Sequence, residues 1–176
     1  MAKSFYELDG IIEMNEKRLA EYTALYQKVF ERLTNIILVY SALGIFLIPL
    51  TQHVMKADVR GVFFYVSFVA FWVLLIVSLV YFIRLLLPVD IAYLDPPKKY
   101  YSDYKTELEL LNVGPENVVN DSLKGTYIQE LEDAIEINSN AFRTKNSLFY
   151  NALIFALLAS VPYIICVGWH ISGGKS

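Results

Sequence analysis

Residues 121–169 read DSLKGTYIQELEDAIEINSNAFRTKNSLFYNALIFALLASVPYIICVGW. The first half, Asp121 to Asn146, is polar with an apolar face. The second, Leu148 to Trp169, is almost wholly apolar, and no proline occurs before Pro162. The pattern predicts one long helix that begins in water and ends in lipid. Asn138, Asn140, Arg143, Lys145, Asn146, Ser147 and Asn151 stand at the joint.

Working outward, the whole chain of 176 residues is 56% hydrophobic with a mean hydropathy of +0.42. That exceeds the roughly 45–50% apolar share of a soluble domain. The apolar residues cluster into Ile36–Leu50, Gly61–Val89 and Leu148–Val167, which together hold one charge, Arg84. A bilayer core needs about 20 apolar residues in a helix. The second and third runs meet this directly. The first does so by recruiting Leu33 and Gln52 to Met55. The expected fold class is therefore an all-α membrane protein with three transmembrane helices. The first and third extend into the cytoplasm as amphipathic helices, with a short helical insert between. The expected segments are a cytoplasmic amphipathic helix over 1–34, spans over 35–56, 61–87 and 148–169, a cytoplasmic helical region over 88–147, and an external tail over 170–176.

Orientation follows from Lys and Arg. Three spans leave Lys3, Lys17, Arg18, Lys28, Arg32, Arg84, Lys98, Lys99, Lys105, Lys124, Arg143 and Lys145 on one side, with Lys56, Arg60 and Lys175 on the other. Twelve against three predicts the N-terminus inside and the C-terminus outside. Thr51 to Arg60 is then an outside turn. The polar start is not a signal peptide. A net charge of −3 argues against bulk nucleic-acid binding, and the lone Cys166 supports no disulfide framework.

Leu8, Ile12, Asn15, Leu19, Tyr22, Tyr26, Val29 and Leu33 alternate spacings of four and three, a heptad seam. With no proline after it, a continuous helix from about Ile11 to about Ile48 is expected, kinked or ended by Pro49. In the second span, Tyr65 and Tyr81 suit the two interfaces. Ser67, Ala70 and Ser78 suit close helix contact, and Arg84 suits an anchoring role. Val89 to Leu94 is expected to prolong this helix. Lys98, Lys99, Tyr100 and Tyr101 form a basic aromatic stretch suited to a partner or to lipid headgroups. Ser102 is expected to cap a short helix through Leu111, Asn112 to Asn117 to form a loop around Gly114-Pro115, and Asp121 or Asn120 to cap the long helix.

Within the long helix, Ile128, Leu131, Ile135, Asn138, Phe142, Lys145 and Phe149 form a second heptad seam with two polar members. A buried Asn in a seam commonly fixes register and subunit number. Each seam is open to two readings, packing within one chain or packing between subunits. Asn140, Arg143, Ser147 and Asn151, with Glu136, fall on the opposite face at about 100° per residue. Ile154 and Leu158 follow them. A pore lined by this face would have a polar mouth and a hydrophobic constriction, which can gate by dewetting. The alternative is a solvated flank with anchoring charges.

Catalytic chemistry is not visible. The sequence has no phosphate-binding Lys loop, dinucleotide glycine fingerprint or CxxC pair. His53 and His170 lack an obvious third ligand, so no metal and no cofactor is expected.

The order is a polar N-terminal helix, two close spans, a helical insert containing Tyr127-Ile128-Gln129-Glu130-Leu131-Glu132, then Asn138 to Asn146 leading into a last span. In this layout the chain resembles small membrane effectors of prokaryotic antiviral defence, most of all the membrane accessory proteins of type VI-B CRISPR systems. The SLATT-type two-span effectors are similar in style. The resemblance implies a cyclic homo-oligomeric pore in the bacterial inner membrane that depolarises or permeabilises it once phage RNA is detected. It also implies a functional link to an RNA-guided nuclease. That family has been associated with an Arg-x4-6-His ribonuclease motif. Here Arg143 is followed by no histidine before His170, so no ribonuclease role is carried over and no enzyme is expected. The rival reading is a non-conducting membrane scaffold that docks a soluble partner through its cytoplasmic helices.

Overall fold

The computed structural model describes residues 7–45, 47–55, 62–111 and 114–171. The described residues contain no strand. The helices are α1 (Leu8–Glu31), α2 (Leu33–Gly44), α3 (Leu47–Met55), α4 (Val62–Leu86), a π-helical turn (Lys99–Tyr104), α5 (Lys105–Leu110) and α6 (Glu116–Ile171). Three helical stretches are long and apolar enough to cross a membrane: Leu8–Gln52, Val62–Leu86 and Glu116–Ile171. The chain thus has the make-up of a multi-pass, all-helical membrane protein.

The long helix is the expected one with wider bounds. It has 56 residues and passes through Pro162 without a break. Neither Asn120 nor Asp121 caps it, because it starts at Glu116, directly after Pro115. The amides of Val118 and Val119 both donate to the Pro115 carbonyl, at 2.8 and 3.3 Å, and close the first turn. Glu116 adds an acidic side chain at the positive end of the helix. The expected loop is therefore shorter at its end. Gly114 lies in it at a φ of 149°, a region that residues with a Cβ rarely adopt.

The expected continuous helix over Ile11 to Ile48 is interrupted twice, at Arg32 and after Gly44. The second break follows from Pro49. Its ring clashes with the carbonyl four residues back, at Ile45, and it has no N–H to offer there. Pro49 itself falls in the first turn of α3, where a missing N–H costs little. The heptad phase nevertheless persists. Val29, Ile36, Leu43 and Leu50 are each buried to 5% exposure or less and recur every seven residues.

Three further expectations are corrected. Val89 to Leu94 does not prolong α4, which ends at Leu86; residues 88–96 are non-helical, as Pro88 and the Pro96-Pro97 pair dictate. Ser102 caps nothing: it lies inside the π-helical turn and donates to the Lys98 carbonyl at 2.8 Å. Of the expected outside turn, residues 51–55 continue α3, and residues 56–60 lie outside the described residues.

The chain divides into two compact units. One comprises Met1–Lys28 and Val89–Thr144. Its α1 and α6 are joined by Lys124 to Asp9 at 2.7 Å and by the Tyr127 hydroxyl donating to Glu16 Oε1 at 2.8 Å. Leu131, Ala134, Asn138 and Ala141 form the buried stripe of α6 here.

The other unit comprises Val29–Pro88 and Lys145–Ser176. Its core holds Leu43, Leu50, Phe64, Phe71, Leu75, Ala159, Tyr163 and Cys166. Ala152, Ala156 and Ala159 are fully buried, and at this spacing small side chains let a neighbouring backbone come close. One such approach is visible. Ser78 Oγ donates to the Ala152 carbonyl at 2.6 Å, which leaves the Tyr40 hydroxyl, 2.7 Å away, as donor to Ser78. Ser67 is also buried. Tyr81 stacks on Phe155 with centroids 5.7 Å apart, a packing role the sequence did not signal. Val62, Val66, Val69, Val73, Ile76, Val80 and Ile83 remain exposed along α4, an apolar face suited to lipid.

Candidate functional site

The two heptad seams lie on the more buried helix faces. Asn15, Leu131, Asn138 and Lys145 are buried, while Leu19, Tyr22, Ile128, Ile135 and Phe142 are half-buried. The polar members have specific partners. In the first unit, the Ala92 amide donates to Asn138 Oδ1 at 2.9 Å, and Asn138 Nδ2 donates back to the Ala92 carbonyl at 3.2 Å. The side-chain amide therefore pairs with one residue of the non-helical stretch as a neighbouring strand would. In the second unit, Lys145 Nζ donates to the carbonyls of Leu85, at 2.7 Å, and of Leu87. It also reaches Arg84, at 3.5 Å.

The four residues of the opposite face are placed differently. Asn140 and Arg143 are exposed in the first unit. Ser147 is exposed and Asn151 half-buried in the second. Among the described residues, none of the four has a side-chain hydrogen bond or an ion pair.

A concave site that the sequence reading missed occurs in the first unit. It is a cavity of about 570 Å³ lined by Leu94, Asp95, Pro96, Pro97, Tyr100, Tyr101, Leu123, Lys124 and Tyr127. The volume is in the usual range for a small-molecule site. Two of the four residues expected to meet a partner or headgroup, Tyr100 and Tyr101, line it. Lys98 and Lys99 do not. Pro96 and Pro97 are part of the wall and stand where the non-helical stretch enters the π-helical turn, whose Lys99 amide donates to the Pro96 carbonyl at 2.9 Å. That turn carries both Tyr100 and Tyr104.

The ring hydroxyls are tied down behind the cavity. Tyr100 donates to Glu130 Oε2, and Tyr104 lies 3.4 Å from Glu130 Oε1. Tyr127 donates to Glu16. The Tyr100 ring meets Tyr127 edge-on at 5.1 Å and Tyr104 at 5.8 Å. Lys99 pairs with Asp95, and its ammonium stands 5.3 Å from the Tyr104 ring centroid. Burial, aided by the bond to Glu16, pushes the Tyr127 hydroxyl up to about 12. Burial and Glu130 raise that of Tyr100 as well. Both phenols are thus neutral hydrogen-bond donors at physiological pH. One local signal was available: the run Tyr100-Tyr101-Ser102-Asp103-Tyr104. The carboxylates that organise it come from distant sequence.

No group of three or more His, Cys, Asp or Glu side chains suited to a metal ion occurs among the described residues. No protein-family model, curated protein or solved structure matches the chain.

Proposed function

We propose that the protein is a membrane effector that assembles as a cyclic homo-oligomer and conducts ions through the inner membrane. The carrying observation is the outward exposure of Asn140, Arg143 and Ser147 on α6, a helix with no break between its polar and apolar parts. Residues that the single chain leaves unpaired are available to line a mouth. The buried stripe lies on the opposite face of α6, so this face stays open to such a lining. The apolar residues that follow, Ile154 and Leu158, are exposed too and would form the constriction. In this reading the positive-inside count sets the N-terminus in the cytoplasm. On the resemblance in layout, this reading puts the pore in antiviral defence beside an RNA-guided nuclease.

The test is reconstitution into liposomes with a potential-sensitive dye. Wild-type protein should dissipate an imposed potential, Asn151→Leu and Arg143→Ala should alter the flux, and particle images should show a ring. A monomer in mild detergent that dissipates no potential overturns the reading.

A second reading, a non-conducting adaptor, is favoured by the cavity of the first unit. It expects Arg143→Ala and Asn151→Leu to leave function intact while substitutions at Tyr100 or Tyr127 abolish it.

A further inference from the structure

The first unit is much more acidic than the chain as a whole. It contains 16 of the 18 Asp and Glu residues but nine of the 15 Lys and Arg, a net charge of −7 against −3 overall. Its cavity is walled by apolar residues and by three tyrosine rings, Tyr100, Tyr101 and Tyr127. Two of those rings donate their hydroxyl protons to carboxylates. Such a bond moves electron density onto the phenol and deepens the negative face of the ring. A cation is attracted to that face, and more strongly where water is displaced.

Two charged side chains line the cavity, and each has a partner of opposite sign. Lys124 is paired with Asp9 and Asp95 with Lys99. The cluster already holds one ammonium in this manner, that of Lys99 near the Tyr104 ring. An anionic ligand would meet a net negative unit and no cation without a carboxylate beside it in the wall. A neutral apolar ligand would gain from burial alone and make no use of the charge.

From this juxtaposition of tyrosine faces, backing carboxylates and net negative charge around a 570 Å³ cavity, we propose that it is a binding site for organic ammonium cations with an apolar body, held over Tyr100 and Tyr127. The inference is independent of the pore reading, since the cavity belongs wholly to the first unit. The same chemistry is carried by a free alkylammonium compound and by a choline headgroup of a lipid.

Choline and its neutral isostere 3,3-dimethyl-1-butanol separate cation recognition from simple burial. Calorimetry on the full-length protein in a maltoside detergent should find choline at least about threefold tighter, as the energy of a ring–cation contact implies. Tyr127→Phe keeps the ring but removes the bond to Glu16 and should lose about threefold, less than the loss of the ring itself. Tyr127→Leu should lose about tenfold. Equal affinity for the two probes in the wild-type protein overturns the proposal without reference to any variant, as does choline binding that survives Tyr127→Leu unchanged in a folded protein. Repeating the titration in nanodiscs assigns the source. Free choline that binds in phosphatidylglycerol discs but is excluded in phosphatidylcholine discs identifies the lipid headgroup as the ligand. Binding in both identifies a free cation.

Discussion

The ammonium of Lys145 lies 2.7 Å from the carbonyl oxygen of Leu85, 60 residues earlier in the chain. Lys145 has no exposed surface. Leu85 stands in the last turn of α4, where carbonyls have no amide partner further along the helix. The negative end of the helix dipole adds to the attraction. A buried cation is thereby satisfied by backbone oxygens without any carboxylate. Pro88 explains why the helix needs such a cap, because it prevents the chain from supplying one itself.

Lys145→Met keeps the length of the side chain and removes its three donors. The carbonyls of Leu85 and Leu87 then lose a charge-assisted bond in a buried place. A loss of about 2–3 kcal/mol of stability is expected, read from thermal or denaturant unfolding followed by circular dichroism in detergent. Wild-type stability in this variant would show that water replaces the ammonium.

Asn138→Leu removes the two-point clamp on Ala92. Ala92 is half-buried, so water restores part of what is lost. The cost should be about 1–2 kcal/mol. The sharper readout is hydrogen exchange at the Ala92 amide, which should speed up by roughly tenfold for each 1.4 kcal/mol of local protection lost.

Both residues show where sequence legibility ends. The apolar runs and the absence of proline before Pro162 were enough to reveal α4 and the continuity of α6. The heptad spacing was enough to place Asn15, Asn138 and Lys145 on inward faces. Their partners were not legible, because Ala92 and Leu85 are reached across the fold rather than along the chain. The start of α6 was missed because a capping side chain was sought at Asn120 or Asp121, whereas the Pro115 carbonyl closes the first turn. The tyrosine cavity was missed for the same reason as the clamp. Tyr100 and Tyr101 were visible as a basic aromatic run, but Glu130 and Glu16 change its chemistry from far away in sequence.

Alkaline pH should loosen the first unit through Tyr127. Its folded pKa is raised to about 12 from the ordinary 10, first by burial and then by the bond to Glu16. A raised pKa means that the neutral form is preferred in the folded state. The contribution is therefore complete below pH 10 and is lost as the pH rises from 10 through about 12. Tyr127→Phe removes the titrating group, so the fall in stability across that window should be shallower than in wild type. Ultraviolet titration at the phenolate band together with unfolding at each pH checks both parts. Parallel curves for the two proteins would place the alkaline loss on another group.

Asn15 supplies the converse case. It is 4% exposed, and its Nδ2 has no acceptor among the described residues. An unmet buried donor costs about 1–3 kcal/mol. Its neighbours along the seam, Ile12 and Leu19, are apolar, so a leucine fits the pattern of that face. Asn15→Leu should therefore raise stability by about 1–2 kcal/mol, seen as a higher unfolding midpoint in detergent. The same variant tests what the asparagine is for. If Asn15 is kept to fix subunit register, the more stable variant should lose uniformity of assembly, with a broadened range of oligomer masses by light scattering. If its role lies only within the chain, the mass distribution should be unchanged.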